Sequence, residues 1–277
     1  MISLIKHYFK KNNKEQYSSL QVIKKSFWEI NWIKTIWFNF MALPFKQAIK
    51  IPFIIGYNVK IQSIGKIILH KKCYTGMISL GVMKIPMWES NSVQLMFTNH
   101  GTVFFSGRAK FHPGVKLSIS QNALLILGER NSIGYNSRIV VQHTISIGDD
   151  FRISWDGQIF DTDFHFLRKI ESDRIYTRKK PVIIGDNVWA GNRVSIGKGT
   201  IIPNGSVISC CTKVSGDLSN EGENLLIVGN PGKVVSKGYL MGNSWFPQEE
   251  NRIAKERKED DMIKEYNDNL INNIMHG

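Results

Sequence analysis

The stretch IGDNVWAGNRVSIGKGTIIPNGSVISCCTKV, residues 184–214, decides the fold. Written in sixes, it has an aliphatic residue or alanine at every first position: Ile184, Ala190, Ile196, Ile202, Ile208 and Val214. Every fifth position is small or β-branched: Val188, Val194, Thr200, Ser206 and Thr212. A period of six matches neither an amphipathic helix nor an alternating strand. It predicts a β-helix coil in which each six residues form a short strand and a turn.

The same period extends upstream, with one slip and one long interruption. Phe105, Phe111 and Leu117 are six residues apart, and the spacing continues clearly through Leu127, Ile133, Ile139 and Ile145. A two-residue slip then moves the phase to Ile147, Ile153 and Ile159. After IFDTDFHF the regularity stops, and a polar segment runs to Pro181. A long loop that leaves a rigid scaffold is a common place for function.

With its IGDNVWAG opening and the segment GNPGKVV at 229–235, the repeat resembles the hexapeptide-repeat acyltransferases, and within them the polysaccharide O-acetyltransferases. The resemblance is firm over 127–236 and weaker over 61–126. It implies a left-handed parallel β-helix, because spacing alone shows only a coil. It also implies a homotrimer that binds acetyl-CoA, or another acyl-CoA, as co-substrate along the coil between two subunits.

Composition divides the chain into three regions: a basic, aromatic segment 1–60, a β-helix acyltransferase domain 61–237, and a tail 238–277. The tail is charged, and Tyr266, Leu270 and Ile274 lie at a spacing of four, which predicts a short C-terminal helix. The expected fold class is therefore all-β: a left-handed parallel β-helix with an N-terminal helical, aromatic segment and a short C-terminal helix.

The N-terminal region carries ten lysines against Glu15 and Glu29. Within it, SFWEINWIKTIWFNFMALPF (26–45) places Trp28, Trp32 and Ile36 at helical spacing. Two interpretations stay open. The stripe caps the open end of the coil, which we favour, or residues 1–45 contact an anionic membrane surface. Nucleic acid is not an expected partner.

Cysteine usage and hydropathy suggest the compartment. The three cysteines are Cys73, Cys210 and Cys211, an odd number with two neighbours inside the coil. This pattern argues against a disulfide framework and for a reducing compartment. No apolar run is long enough for a spanning helix, and the first residues do not read as a signal peptide. We therefore expect a cytoplasmic protein, with membrane association through its N-terminus left open.

His165 is the candidate catalytic residue. It ends the DTDFH segment, just before the polar excursion. Transfer of an acyl group to a hydroxyl requires a base for the hydroxyl proton, and a neutral imidazole suits that role. The resemblance places the family's catalytic histidine at this position. Asp163 is the candidate to orient the imidazole, with Asp161 as the alternative. The competing interpretation is an ordinary surface histidine in a turn.

The remaining site residues come from the resemblance. Asn136 is the candidate oxyanion donor, although an ordinary turn residue is the better single interpretation, and His143 is another polar candidate. The candidate contacts to acyl-CoA are Trp189, Asn192, Cys210, Ser215, Lys213 and Lys233. Ser215 stands where relatives have threonine, and a lysine contact expected beside it is missing. Lys213 and Lys233 are the residues expected to compensate.

No metal is expected, because His143 and His165 are the only histidines in the regular coil and lack the spacing of zinc-binding β-helices. The predicted function is O-acetylation of a sugar hydroxyl in surface polysaccharide biosynthesis. Two alternatives remain. One is an N-acetyltransferase acting on a nucleotide-linked aminosugar, and the other is a non-catalytic β-helix scaffold.

Overall fold

The computed structural model describes residues 23–24, 26–70, 72–82 and 93–241. The predicted C-terminal helix and most of the basic N-terminus lie outside this range. Residues up to Leu240 belong to one compact unit. Its helices are α1 (Trp32–Ala42) and α2 (Phe45–Ala48), with short 3-10 turns at Phe27–Glu29 and Ser219–Glu221. Among the described residues, no helix is long and apolar enough to cross a membrane.

Short strands make up most of the described chain. In chain order they are β1 (Phe53–Ile55), β2 (Val59–Ser63), β3 (Lys66–Leu69), β4 (Ile78–Leu80), β5 (Leu95–Asn99), β6 (Thr102–Phe105), β7 (Ala109–Phe111), β8 (Lys116–Ile119), β9 (Leu124–Leu127), β10 (Asn131–Ile133), β11 (Arg138–Val141), β12 (Thr144–Ile147), β13 (Arg152–Ile153), β14 (Gln158–Phe160), β15 (Leu167–Lys169), β16 (Arg174–Tyr176), β17 (Val182–Ile184), β18 (Trp189–Ala190), β19 (Ser195–Ile196), β20 (Ile201–Ile202), β21 (Val207–Ile208), β22 (Lys213–Val214), β23 (Leu225–Val228) and β24 (Lys233–Lys237).

Three sheets run side by side along the coil. Sheet 1 has the order β1-β4-β7-β10-β13-β18-β21-β23-β24, sheet 2 the order β2-β5-β8-β11-β14-β19-β22, and sheet 3 the order β20-β17-β12-β9-β6-β3. From β1 to β22, apart from the pair β15 and β16, consecutive strands enter sheets 1, 2 and 3 in turn, and neighbours within these three sheets are parallel except β23 and β24. The predicted parallel β-helix is therefore confirmed. It begins at Phe53, earlier than the expected start at 61.

The register explains both the period and the slip. Ile184 pairs with Ile202 and Ala190 with Ile208, eighteen residues on, so three sixes make one rung. Upstream, Leu127 pairs with Ile147, twenty residues on. The two extra residues, Gln142 and His143, lie between β11 of sheet 2 and β12 of sheet 3. The slip therefore lengthens one corner of the coil and leaves the stacked interior in register.

Helix α1 covers the first strand of sheet 1. The β1 edge carries backbone groups that no further strand pairs, and side chains of α1 bond them. Thr35 Oγ1 accepts from Ile55 N at 3.0 Å, and Asn39 Oδ1 accepts from Phe53 N at 3.0 Å. Asn39 Nδ2 also donates to Phe53 O at 2.9 Å. The buried Phe38 ring lies 5.0 Å from the ring of Phe53 and 5.8 Å from that of Phe97, so it closes the aromatic first rungs.

Phe38→Ala tests how much this closure stabilises the coil. The side chain is fully buried, so its truncation should lower the free energy of unfolding by about 3–5 kcal/mol. Phe40→Ala, on the same helix but 45% exposed, is the matched control and should change it by only about 0.5 kcal/mol. Chemical denaturation followed by circular dichroism measures both. Similar losses in the two variants would show that α1 does not close the coil.

Candidate active site

The polar excursion after β14 is a hairpin at one corner of the coil. Strands β15 and β16 pair antiparallel, with Leu167 opposite Tyr176. The hairpin leaves the coil after β14 of sheet 2 and returns to it at β17 of sheet 3. We call the edge where sheet 2 passes to sheet 3 the 2–3 corner, and the edge where sheet 1 passes to sheet 2 the 1–2 corner. His165 lies at the 2–3 corner, two residues before β15, with an exposed side chain.

The backbone beside His165 is held in an uncommon conformation. Phe164 has φ of 63°, the left-handed region that a bulky side chain rarely adopts. Thr162 Oγ1 accepts from Phe164 N at 2.9 Å, and His165 N donates to Asp163 O at 2.7 Å. The Phe164 ring also lies 6.0 Å from that of Phe160. Strained backbone of this kind clusters at functional sites, and here it fixes the position from which His165 projects.

Asp161 anchors the start of the excursion. The side chain is fully buried, and its two oxygens accept from the backbone of the preceding rung. Oδ1 accepts from Gln142 N at 2.8 Å and Oδ2 from His143 N at 2.7 Å. Asp161, the alternative candidate to orient His165, therefore bonds the neighbouring corner in this chain and makes no hydrogen bond to the His165 ring.

Asp163 forms an ion pair with a lysine that was not among the candidate site residues. Its Oδ2 accepts from Lys198 Nζ, and the same ammonium donates to Thr177 O at 2.7 Å. Lys198 thereby ties both ends of the hairpin to the next rung. Within the part of the chain that the structure describes, the His165 ring has no hydrogen-bond partner. The expected contact from Asp163 to His165 is not formed in this single chain.

The rung before His165 supplies polar neighbours at the same corner. Thr162 Oγ1 lies 3.3 Å from Gln142 Oε1, to which it donates, and Lys179 Nζ donates to Gln142 O at 3.1 Å. His143 is exposed, and its Nδ1 lies 3.1 Å from Thr144 Oγ1. Gln142 and His143 are therefore polar residues of the preceding rung that lie near the foot of the hairpin. His143 had been expected in this region, and Gln142 had not.

Asn136 lies elsewhere. It stands at the 1–2 corner, between β10 and β11, with φ of 55°, and its Nδ2 donates to Asp156 Oδ1 at 2.8 Å. Asn readily adopts this left-handed conformation, so an ordinary turn residue explains the position. The structure does not bring Asn136 beside the His165 of its own chain.

The candidate acyl-CoA contacts occupy several faces of the coil. Trp189 points outward from β18 and is exposed, while Asn192 and Cys210 stand on successive rungs of the 1–2 corner. Their backbones are linked, because Cys211 N donates to Asn192 O at 2.9 Å. Lys213 lies on β22, followed by Ser215. The segment that carries Lys233 is close to Lys213, since Gly232 N donates to Lys213 O at 2.7 Å. The described residues include no cluster of three His, Cys, Asp or Glu able to hold a metal ion.

Known proteins resemble this chain in sequence. It is 26% identical over 149 residues to the putative lipopolysaccharide biosynthesis O-acetyl transferase WbbJ of Escherichia coli K12, covering 50% of this chain and 74% of that protein. It is 31% identical over 126 residues to galactoside O-acetyltransferase of E. coli K12, covering 44% and 58%. The solved structure of the polySia-specific acetyltransferase NeuO aligns with 74% of this chain and 87% of its own, at 23% identity and a TM-score of 0.46. No family model matches.

The chain is similar to the hexapeptide-repeat acyltransferases. The resemblance stated from the repeat is therefore confirmed, as are the parallel β-helix of the expected fold class and an acyltransferase as the kind of enzyme. Its match to galactoside O-acetyltransferase spans less than two thirds of that relative.

Lys198 is a residue at the foot of the hairpin that the six-residue repeat did not indicate. It occupies the third position of the six that begins at Ile196, a position that is solvated elsewhere in the run. Its side chain is only 17% exposed, because it turns back onto the hairpin. The sequence held one indication of this contact: if each rung stacks on the next, residue 198 lies beside residue 161 at the same corner. Finding it requires the strand register across the excursion, which the sequence does not provide.

Asp161→Asn tests whether the corner depends on this buried carboxylate. One oxygen becomes an NH2 that faces a backbone N–H donor, so the free energy of unfolding should fall by about 1–3 kcal/mol. Asp163→Asn is the matched control, because its carboxylate is partly exposed and lost surface pairs matter little. Chemical denaturation measures both. Equal effects would contradict the anchoring role of Asp161.

Proposed function

We propose that this chain is an acyl-CoA-dependent O-acyltransferase that transfers an acetyl group from acetyl-CoA to a sugar hydroxyl in surface polysaccharide biosynthesis. The observation that carries the proposal is the placement of His165, exposed beside strained backbone at the foot of the only excursion in the regular part of the described coil. Relatives named as O-acetyltransferases favour a hydroxyl acceptor over an amine.

The chemistry assigned to His165 is general-base catalysis. Its neutral imidazole takes the proton of the acceptor hydroxyl while that oxygen attacks the thioester carbonyl. The tetrahedral intermediate then collapses, the carbon–sulfur bond breaks, and the imidazolium returns its proton to the departing thiolate. The negative oxygen of the intermediate requires a hydrogen-bond donor. Gln142 carries a side-chain amide one rung from His165, so it is better placed for this role than Asn136.

The donor site is proposed to form between subunits. Trp189, Asn192 and Cys210 lie on sheet 1 and the 1–2 corner, whereas His165 lies at the 2–3 corner of the same chain. Sheet 2 separates the two groups, so one chain does not present them in a single cleft. A neighbouring subunit that sets its 1–2 corner against this 2–3 corner would unite them. Lys213 and Lys233 are proposed to contact the nucleotide phosphates through charge-assisted hydrogen bonds.

The hairpin supports this assembly as a homotrimer. Four of its apolar side chains are strongly exposed: Phe166 62%, Leu167 61%, Ile170 95% and Ile175 65%. Apolar side chains gathered on a projecting arm mark an interaction surface. Because the arm begins at His165, a subunit that covers it also approaches the candidate catalytic group.

His165→Ala is the first test. Loss of a general base should lower kcat about 10²–10⁴-fold with acetyl-CoA and a panel of sugar acceptors, and donor KM should change little. Trp189→Ala should behave in the opposite way, raising donor KM more than it lowers kcat. His143→Ala is the matched control at the same corner. If His165→Ala keeps most of its turnover while His143→Ala loses it, the base is His143. Turnover with aminosugars alone would show an amine acceptor.

Mixed trimers test the shared site. At an acetyl-CoA concentration far below the donor KM of Trp189→Ala, co-expression of the His165→Ala and Trp189→Ala chains should give activity well above that of either variant alone. In a randomly mixed trimer, about a quarter of the interfaces combine an intact His165 from one subunit with an intact Trp189 from its neighbour. Light scattering checks the molar mass of the assembly. Activity that is never restored in mixed trimers would show that each chain holds a complete site.

A further inference from the structure

The outer side of the coil's closed end is apolar. Helix α1 turns Thr35, Phe38 and Asn39 inward, and its opposite side carries Ile33, Ile36, Trp37, Phe40 and Met41. These five lie at i, i+3, i+4, i+7 and i+8, so they form one continuous stripe. Trp28 and Ile33 are 87% and 85% exposed, and Phe45 and Ile49 on and after α2 extend the surface. We call this set the cap face: Trp28, Ile33, Ile36, Trp37, Phe40, Met41, Phe45 and Ile49.

The charges around the cap face have one sign. Lys46 and Lys50 are exposed beside it, and Lys60 lies on β2 nearby. Between residues 26 and 60 the only acidic residue is Glu29. In the sequence before residue 23, four lysines stand against Glu15. If two copies of this surface packed together, their lysines would face each other without carboxylates to pair them. The charge therefore disfavours self-association and favours an anionic partner.

A groove of about 610 Å³ continues the cap face toward the coil. Ile33 and Trp37 form its apolar wall, and Lys34 and Lys60 line it. The Lys34 ammonium donates to Val59 O at 2.7 Å, and its burial lowers the pKa of this side chain. An aromatic and aliphatic surface bordered by lysines matches the amphipathic helices that lie in membrane interfaces, where tryptophan is enriched.

We propose that the cap face binds the surface of an anionic lipid bilayer, with α1 lying in the plane of the interface. The same helix then closes the coil with one side and contacts lipid with the other. The candidate active site would stay clear of the headgroups. Strand β14 is the fifth strand of sheet 2 counted from β2, which places its corner about 20 Å along the coil from the first rung. The proposal does not depend on the reaction assigned to His165.

Vesicle co-sedimentation of the full chain tests this proposal. Vesicles of phosphatidylcholine and phosphatidylglycerol at 3:1 should bind the protein, and vesicles of phosphatidylcholine alone should bind it at least about tenfold more weakly, since each lysine near an anionic surface contributes about fivefold. Binding should weaken with added salt. The tryptophan emission should shift to shorter wavelength with the anionic vesicles as the rings leave water.

Two variants and a control locate the contact. Ile33→Ser with Trp37→Ser should lower anionic-vesicle binding at least about tenfold, since it removes two large apolar groups from the interface. Lys46→Glu with Lys50→Glu should lower it by at least as much and should reduce the salt dependence. Val235→Ser, a 58% exposed apolar site on β24 at the end of sheet 1 opposite to β1, is the matched control and should bind like the parent.

Three results would overturn the proposal. One is equal binding to both kinds of vesicle or to neither. The second is a loss of binding in Val235→Ser as large as that in the cap-face variants. The third is a change of molar mass in light scattering, with vesicle binding unaltered, when Ile33 and Trp37 are replaced. That outcome would make the cap face an interface between subunits. Melting temperatures near that of the parent show that the variants are folded.

Discussion

The stacking of one inward side chain on the next, rung upon rung, is the constraint on which the rest of the structure depends. One such ladder runs through Ile139, Ile159, Ile196 and Val214, all buried. A rung buries its interior only against the rungs on either side, so the first rung has no natural partner. The chain solves this with α1. Phe38 fills the open interior, and Thr35 and Asn39 replace the hydrogen bonds of a missing strand.

The ladders also determine where the coil tolerates irregularity. The step from sheet 2 to sheet 3 takes ten residues from Leu117 to Leu127, eight from Ile139 to Ile147 and twenty-five from Ile159 to Ile184. It falls to six only in the regular run, from Ile196 to Ile202. Because insertions at a corner leave every ladder in register, the corner changes length while the interior stays packed. The hairpin and His165 lie on this variable corner.

The parts of the fold that follow from spacing were predictable. Eighteen-residue pairing is three sixes, and Phe105 and Phe111, six residues apart in the sequence, have ring centroids 6.3 Å apart. The start of the coil at Phe53 was not predictable, because β1 has no repeat before it to set a phase. The corner that holds Asn136 was not predictable for a related reason. Because the corners differ in length, placing a functional residue of one rung beside a residue of another requires the strand register. A two-residue slip in the period does not show which corner contains the two extra residues.

His165 was identified from its place beside the excursion, but its partners were not, because they come from other rungs. The segment DTDFH suggests a carboxylate that serves the imidazole, yet each aspartate is already engaged: Asp161 holds the preceding rung and Asp163 holds Lys198 of the next. In this chain both therefore hold the foot of the hairpin, and neither bonds the imidazole. The position of His165 is set by its backbone, with Phe164 in the left-handed region beside it. The His165 ring therefore remains available to groups from outside the chain. A site completed by a second subunit requires such a free ring.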